Sequence, residues 1–230
     1  TPELLAEGLE RFPRGVVHRV QPGAVSITNA TECGLVYRPA EVRALADAAH
    51  GAGIRLHMDG ARFSNALATL GCPPAEITWK AGVDALSLGF TKCGAVSAEA
   101  AVFFDAALAD GFDFRRKRGG HVFSKSRFLA AQFLAMLEGD LWRRLAGDAN
   151  AAAAALGAAF AAEGYEPAYA VEANEVFVRL PKALAGRLKA AGAYFYPWED
   201  EASDVPLFRF VCSFATAAGE VELLKKQLKS

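Results

Sequence analysis

Hydrophobic positions along the chain fall into short apolar runs separated by stretches of helical spacing, a pattern that predicts a largely parallel sheet with crossover helices. Residues 24–28 form a β-branched apolar run that ends in a polar turn over 29–34. Next, 39–51 places Val42, Leu45, Ala46 and Ala49 at helical spacing and stops at His50-Gly51, so the strand that follows is parallel to the first. Residues 54–58 are apolar almost throughout, as expected for a parallel strand covered on both faces, and they end at Asp59-Gly60. Gly71-Cys72-Pro73-Pro74 breaks the next helix, and residues 74–80 predict a short second one. The chain then returns to the sheet over 83–88, and 100–104 predicts a further strand.

The flanking regions read as helices. Thr1-Pro2-Glu3-Leu4 combines an N-cap, a proline at the first helical position and an acid in the first turn, predicting a helix to about Arg11. Residues 124–137 carry Phe128, Leu129, Gln132, Phe133 and Met136 on overlapping faces, an aromatic stripe that reads as core. The alanine-rich stretch 142–162, ended by Gly164, reads as a connector to a smaller unit. That unit would hold strands at 175–180 and 207–213 and helices at 181–191 and 218–228. The fold class expected is α/β: a mostly parallel sheet in a large domain over 1–140, then a smaller C-terminal α+β domain over 141–230.

Composition narrows the function classes. With 230 residues and 53% hydrophobic content the chain can bury a substantial core. A net charge of −1 provides no general attraction to nucleic acid or acidic membranes. Cys33, Cys72, Cys93 and Cys212 lack CxxC spacing, which fits a reducing cytoplasm rather than a disulfide or zinc framework. His18, His50, His57 and His121 show no ligand spacing, so no catalytic metal is expected. The N-terminal stretch lacks the pattern of a signal peptide, and the alanine-rich run 149–162 is shorter than the roughly 20 residues of a membrane span.

The chemistry concentrates between residues 56 and 95. Two apolar runs deliver charged groups, one Asp59 and the other Thr91-Lys92, to the carboxyl edge of the sheet, where open α/β folds bind ligands. An acid at one strand end and a lysine at the next suit pyridoxal phosphate. The lysine forms a Schiff base with the aldehyde, and the carboxylate keeps the pyridine nitrogen protonated. Thr91 could donate to a phosphate oxygen, and Gly94 lets the backbone turn tightly. Arg62 follows Asp59 closely enough to line the same pocket. The competing reading makes Asp59 a helix cap, Arg62 a surface ion pair and Lys92 a solvated loop lysine.

Other candidates lie outside this segment. Arg209 sits inside the apolar run Leu207-Phe208-Arg209-Phe210-Val211, where an unpaired charge is costly and a planar guanidinium suits a carboxylate; an edge-strand arginine facing water is the alternative. Thr31 and Glu32 could face the cofactor or simply belong to a self-satisfied turn. The run Arg115-Arg116-Lys117-Arg118 lacks the interleaved aromatics of a nucleic-acid platform and reads as a solvated helix end.

The segments SITNATECGLVY (26–37), LHMDGARFSNAL (56–67), ITWKAGVDALSLGFTKCGA (77–95), FRRKRGGHVFSKSRFLAAQ (114–132) and RFVCSF (209–214) resemble low-specificity L-threonine aldolases, fold-type I pyridoxal-phosphate enzymes. The resemblance implies a transferase-like large domain whose phosphate-cradling glycine loop and ring-stacking aromatic precede the first residue of this chain. It implies pyridoxal phosphate on Lys92, with Asp59, Arg62 and Thr91 around it. The substrate α-carboxylate would be held by Arg209 with Arg62. A homodimer or homotetramer is implied, with the basic run and His121 near the subunit interface and a cofactor. The reaction implied is cleavage of a β-hydroxy amino acid to glycine and an aldehyde, and His121 is the candidate base this segment retains. Another fold-type I activity, a β-eliminating lyase or an aminotransferase, stands as the alternative, as does an inactive piece of such an enzyme.

Overall fold

A computed structural model describes residues 1–198 and 203–229. The first sheet contains β1 (Ala24–Thr28), β2 (Arg55–Gly60), β3 (Ala85–Gly89) and β4 (Glu99–Phe103), adjacent in that order. The first three strands are parallel and β4 is an antiparallel edge. Helix α1 (Pro2–Glu10) precedes β1, with the Thr1 hydroxyl accepting from the Leu4 amide at 3.3 Å. Helix α2 (Pro39–Gly51) makes the crossover that forces β1 and β2 to be parallel. Helix α3 (Phe63–Leu70) follows β2, and residues 74–80, expected as one short helix, form two 3₁₀ turns at Pro74–Ile77 and Trp79–Ala81. The backbone leaves the helical region at Thr78 (φ −120°, ψ −113°), which separates the two turns.

One face of this sheet carries the core. Ile27, Leu56, Met58 and Leu86 pack against Val42, Leu45 and Ala46 of α2 and Phe63 and Leu67 of α3. Each such fully buried side chain contributes about 2 kcal/mol. The opposite face, expected to be covered, is open: burial along β2 alternates, with Arg55 exposed, Leu56 and Met58 buried, and His57 and Asp59 half-buried. The polar members of Arg-Leu-His-Met-Asp-Gly fall on one side by the two-residue period, and they share it with Ser26 and Ser87.

After α4 (Phe112–Arg118), α5 (Arg127–Leu137) and α6 (Leu141–Ala162) form a stretch that is long and apolar enough, by composition, to cross a membrane. Left-handed Gly139 (φ 57°) and Asp140 (φ 55°) divide it into two helices, and α6 buries Trp142 and Ala146 in the first core and Leu156 and Phe160 in a second. The aromatic stripe of α5 departs from expectation: Phe128 is 62% and Leu134 70% exposed, and Met136 is the fully buried residue of that helix. Its spacing matched a core helix, and of the stripe Met136 and Phe133 reach the first core.

The second core lies under a three-stranded antiparallel sheet of β5 (Glu175–Arg179), β6 (Tyr196–Pro197) and β7 (Leu207–Val211), in the order β5-β7-β6. Helices α7 (Lys182–Ala190) and α8 (Ala218–Leu228) complete it. Strand β6 is two residues long and carries no periodicity, which is why it escaped the sequence pattern. The two sheets are tied together by polar contacts. Glu172 accepts from the Val36 amide at 2.7 Å and pairs with Arg38, and Asn65 on α3 donates to Asn150 on α6 at 2.8 Å.

Candidate active site

Strand register sets the first part of the site. Thr28 pairs with Asp59, Asp59 with Ser87, and Gly60 with Leu88, so β1, β2 and β3 finish at one edge. At that edge Asp59 is half-buried, and its Oδ1 accepts from the Ala61 amide at 2.9 Å. Helix α3 begins four residues after Asp59, with Arg62 at its N-cap position, so Asp59 does not cap it. Glycine is required after it: a Cβ on Gly60 would lie 2.8 Å from both Leu86 Cδ1 and the Ser87 carbonyl oxygen.

Lys92 leaves the same edge one strand over, in the 3₁₀ turn Thr91–Cys93 directly after β3. Lys92 is exposed, whereas Cys93 turns inward and its thiol donates to the Trp142 carbonyl at 3.2 Å. Burial pushes that thiol above its ordinary pKa. It is an anchor for the turn, set on the side away from Lys92. The Thr91 hydroxyl accepts from the Ala98 amide at 3.1 Å, which leaves its own proton to donate. Gly94 continues the turn at φ +123°. Gln132 of α5 accepts from the Val96 and Ser97 amides at 2.9 and 3.1 Å, clamping the chain that leaves the lysine.

The two arginines meet at a residue that sequence reasoning did not single out. Glu175, the first residue of β5, has a fully buried side chain; Arg62 Nη2 lies 3.0 Å and Arg209 Nη1 3.7 Å from its Oε1. Arg209 reaches it from β7, with its Cζ 5.0 Å from the Trp198 ring centroid. Arg209 therefore faces partners rather than water. Burial pushes the Glu175 carboxyl above its ordinary pKa; Arg62 and Arg209 pull it down, Glu32 raises it, and Lys92 lowers it. Arg62 and Arg209 thus share one locality with Glu175. Polar satisfaction is incomplete there: both Glu175 oxygens and the Nε atoms of both arginines are buried without a hydrogen bond among the described residues. A signal for Glu175 existed, since an acid opening the apolar run Glu175-Val176-Phe177-Val178 raises the same question as Arg209.

The remaining candidates make other contacts. Thr31 Oγ1 accepts from the Leu35 amide at 3.0 Å and its carbonyl from Gly34 at 2.9 Å, so Thr31 organises its own turn. His121 is exposed after α4, and its amide donates to the Arg116 carbonyl at 3.0 Å. Arg115, Arg116, Lys117 and Arg118 are exposed along α4. A further feature of the open face is His57, whose Nδ1 lies 2.8 Å from Ser26 Oγ and whose Nε2 lies 2.9 Å from Ser87 Oγ. Among the described residues no group of three His, Cys, Asp or Glu side chains could hold a metal ion.

A three-stranded parallel edge ending in an acid and a lysine, with a second α+β unit folded against it, is the architecture of fold-type I pyridoxal-phosphate enzymes. The beta-eliminating lyase family model matches residues 2–183, and the chain belongs to that family. It is 44% identical over 214 residues to a low specificity L-threonine aldolase of Pseudomonas aeruginosa and 42% identical over 215 residues to one of a Pseudomonas species. Each match covers 93% of this chain and 61% of the relative, so the chain spans about three fifths of their length. Among solved structures it superposes on a threonine aldolase of Leishmania major with a TM-score of 0.92 at 26% identity, over 99% of this chain and 66% of that one. A serine palmitoyltransferase carrying pyridoxal phosphate shares the fold, with a TM-score of 0.71 at 15% identity, over 100% of this chain and 58% of that one.

Proposed function

We propose that the chain forms the lysine-bearing part of a pyridoxal-phosphate-dependent aldolase that cleaves L-threonine, L-allo-threonine or related β-hydroxy-α-amino acids to glycine and an aldehyde. The observation that carries this reading is the meeting of Arg62 and Arg209 at Glu175, with Asp59 and the Lys92 turn closing neighbouring strands at the same sheet edge. The names of the relatives support the choice of reaction.

The residues present fit the cofactor. Lys92 exposes a primary amine at the strand edge, Asp59 has an oxygen beyond the one its turn uses, and the Thr91 proton is uncommitted. Pyridoxal phosphate, when bound, supplies an electron sink for the bonds at Cα. Lys92 would hold its aldehyde carbon, Asp59 would keep the proton on its ring nitrogen, and Thr91 would donate to a phosphate oxygen. Arg209 and Arg62 would grip the α-carboxylate, and that grip selects which bond at Cα is aligned for cleavage. The base that removes the β-hydroxyl proton lies outside this assignment.

Residues 1–140 serve in this reading as part of the cofactor-binding domain and 141–230 as connector helix and small domain. A homodimer or homotetramer in the cytoplasm is the assembly proposed. The exposed apolar side chains of α5 and four unpaired cysteines support it. Incubating the 230-residue chain with pyridoxal phosphate and L-threonine should yield glycine and acetaldehyde in equal amounts, and Lys92→Ala should abolish both. A keto acid would point instead to an aminotransferase or β-eliminating activity.

A further inference from the structure

We propose that Glu175 sets the substrate charge this site accepts, restricting the Arg62–Arg209 pair to amino acids that carry a single carboxylate. The inference rests on the reading above that the two arginines receive the substrate α-carboxylate. It starts from the charge count within contact distance. Two guanidinium groups face one fully buried carboxylate at 3.0 and 3.7 Å, which leaves one net positive charge when all three are ionised. Burial raises the Glu175 pKa and the two guanidinia oppose that rise, so the arginine pair favours the carboxylate form on which this count rests.

The geometry leaves capacity for one anion. The Nε donors of both arginines are buried and unbonded among the described residues, while Arg62 Nη2 and Arg209 Nη1 turn toward Glu175. Arg62 is 10% exposed and starts α3, and Arg209 is 24% exposed and stacked beside Trp198, so neither can swing far to recruit another partner. The loop after β1 closes over the acid: a Cβ placed on Gly34 would lie 3.4 Å from Glu175 Cβ. Glu32 of that loop adds a second negative charge within electrostatic reach. One substrate carboxylate neutralises the remaining positive charge. A second, as in a β-hydroxy derivative of aspartate, would meet Glu175 and Glu32 with nothing left to balance it, and like charges brought together in such a site are strongly rejected.

The test uses the 230-residue chain at low ionic strength, with propionate and succinate as mono- and dicarboxylate probes in calorimetric titrations. Wild type should bind propionate in preference to succinate. Glu175→Gln should shift the ratio of affinities toward succinate by about tenfold or more. Arg209→Gln, which removes the net positive charge and keeps Glu175, should bind neither probe. Should Glu175→Gln fail to fold, the double variant Glu175→Gln with Arg209→Gln restores the net charge of one and should keep the wild-type preference. An unchanged ratio in a folded Glu175→Gln chain, a wild type that prefers succinate or binds neither probe, or binding retained by Arg209→Gln would overturn the proposal. Borohydride reduction with pyridoxal phosphate, scored at Lys92 in the same proteins, separates the two readings. Labelling of Lys92 without the shift in preference overturns the role of Glu175 alone, and the shift without labelling overturns the cofactor assignment alone.

Discussion

Asp84 and Glu175 are both carboxylates beside strands, each facing two basic side chains, and they are built in opposite ways. Asp84 stands at the amino end of β3. Its oxygens accept from His50 Nε2 at 2.8 Å, Arg55 Nη1 at 2.9 Å and the Leu56 amide at 2.8 Å. Burial opposes its ionisation, but His50, the Leu56 amide and Arg55 outweigh that and hold its pKa below the usual carboxylate range. Glu175 faces Arg62 and Arg209 without a hydrogen bond to either oxygen among the described residues, and burial raises its pKa. The satisfied acid ties α2 and β2 to β3 at the edge away from Lys92, and the unsatisfied one lies where a ligand is proposed to bind. Buried groups that stay unsatisfied mark the places where stability has been given up for function.

Removing one partner should break the comparison most visibly at Glu175. Arg62→Ala leaves a buried carboxylate with one distant guanidinium and is expected to destabilise the chain by about 3–5 kcal/mol in urea unfolding. Gly60→Ala forces Leu86 and the Ser87 carbonyl apart; a loss of about 1–3 kcal/mol is expected, with displacement of Asp59 and Arg62. Asp84→Asn discards two charge-assisted bonds and should cost about 1–3 kcal/mol. Arg55→Ala touches the same acid from an exposed position and should cost at most about 1 kcal/mol.

The pH dependence sharpens the contrast because the signs differ. Asp84 has a depressed folded pKa, so its stabilisation is present above the unfolded value near about 3.9 and is lost as pH falls through the folded value. Asp84→Asn should flatten the acid limb of a stability profile. Glu175 has a raised folded pKa, with Arg62 on α3, Arg209 on β7, Glu32 in the loop after β1 and Lys92 after β3 acting on it. The folded state then holds that proton more readily than the unfolded chain. The Glu175 contribution falls as pH rises from about 4.3 through the folded value, and Glu175→Gln should remove that decline. Thermal melts between pH 3 and 7 measure both.

Most of the scaffold was legible because local rules and tertiary packing agree in it. The strand Ala24–Thr28 and the helices Pro39–Gly51 and Ala218–Leu228 fall on their expected bounds. Two misreadings have one cause. The stripe on α5 was read as core and the short apolar run before Asp59 as covered on both faces, yet periodicity reports that a face is apolar and is silent on what packs against it. At the site, Asp59 and Lys92 were readable because each ends an apolar run. Glu175 was not singled out, because its partners lie 113 and 34 residues away in the chain and meet it only through the fold.

The most direct test of the account mixes the chain with pyridoxal phosphate, follows its absorbance, reduces with borohydride and maps the modified peptide. The account predicts a new visible or near-ultraviolet band and reduced cofactor on the peptide containing Lys92. Cofactor recovered on a different lysine, or on none, would contradict it.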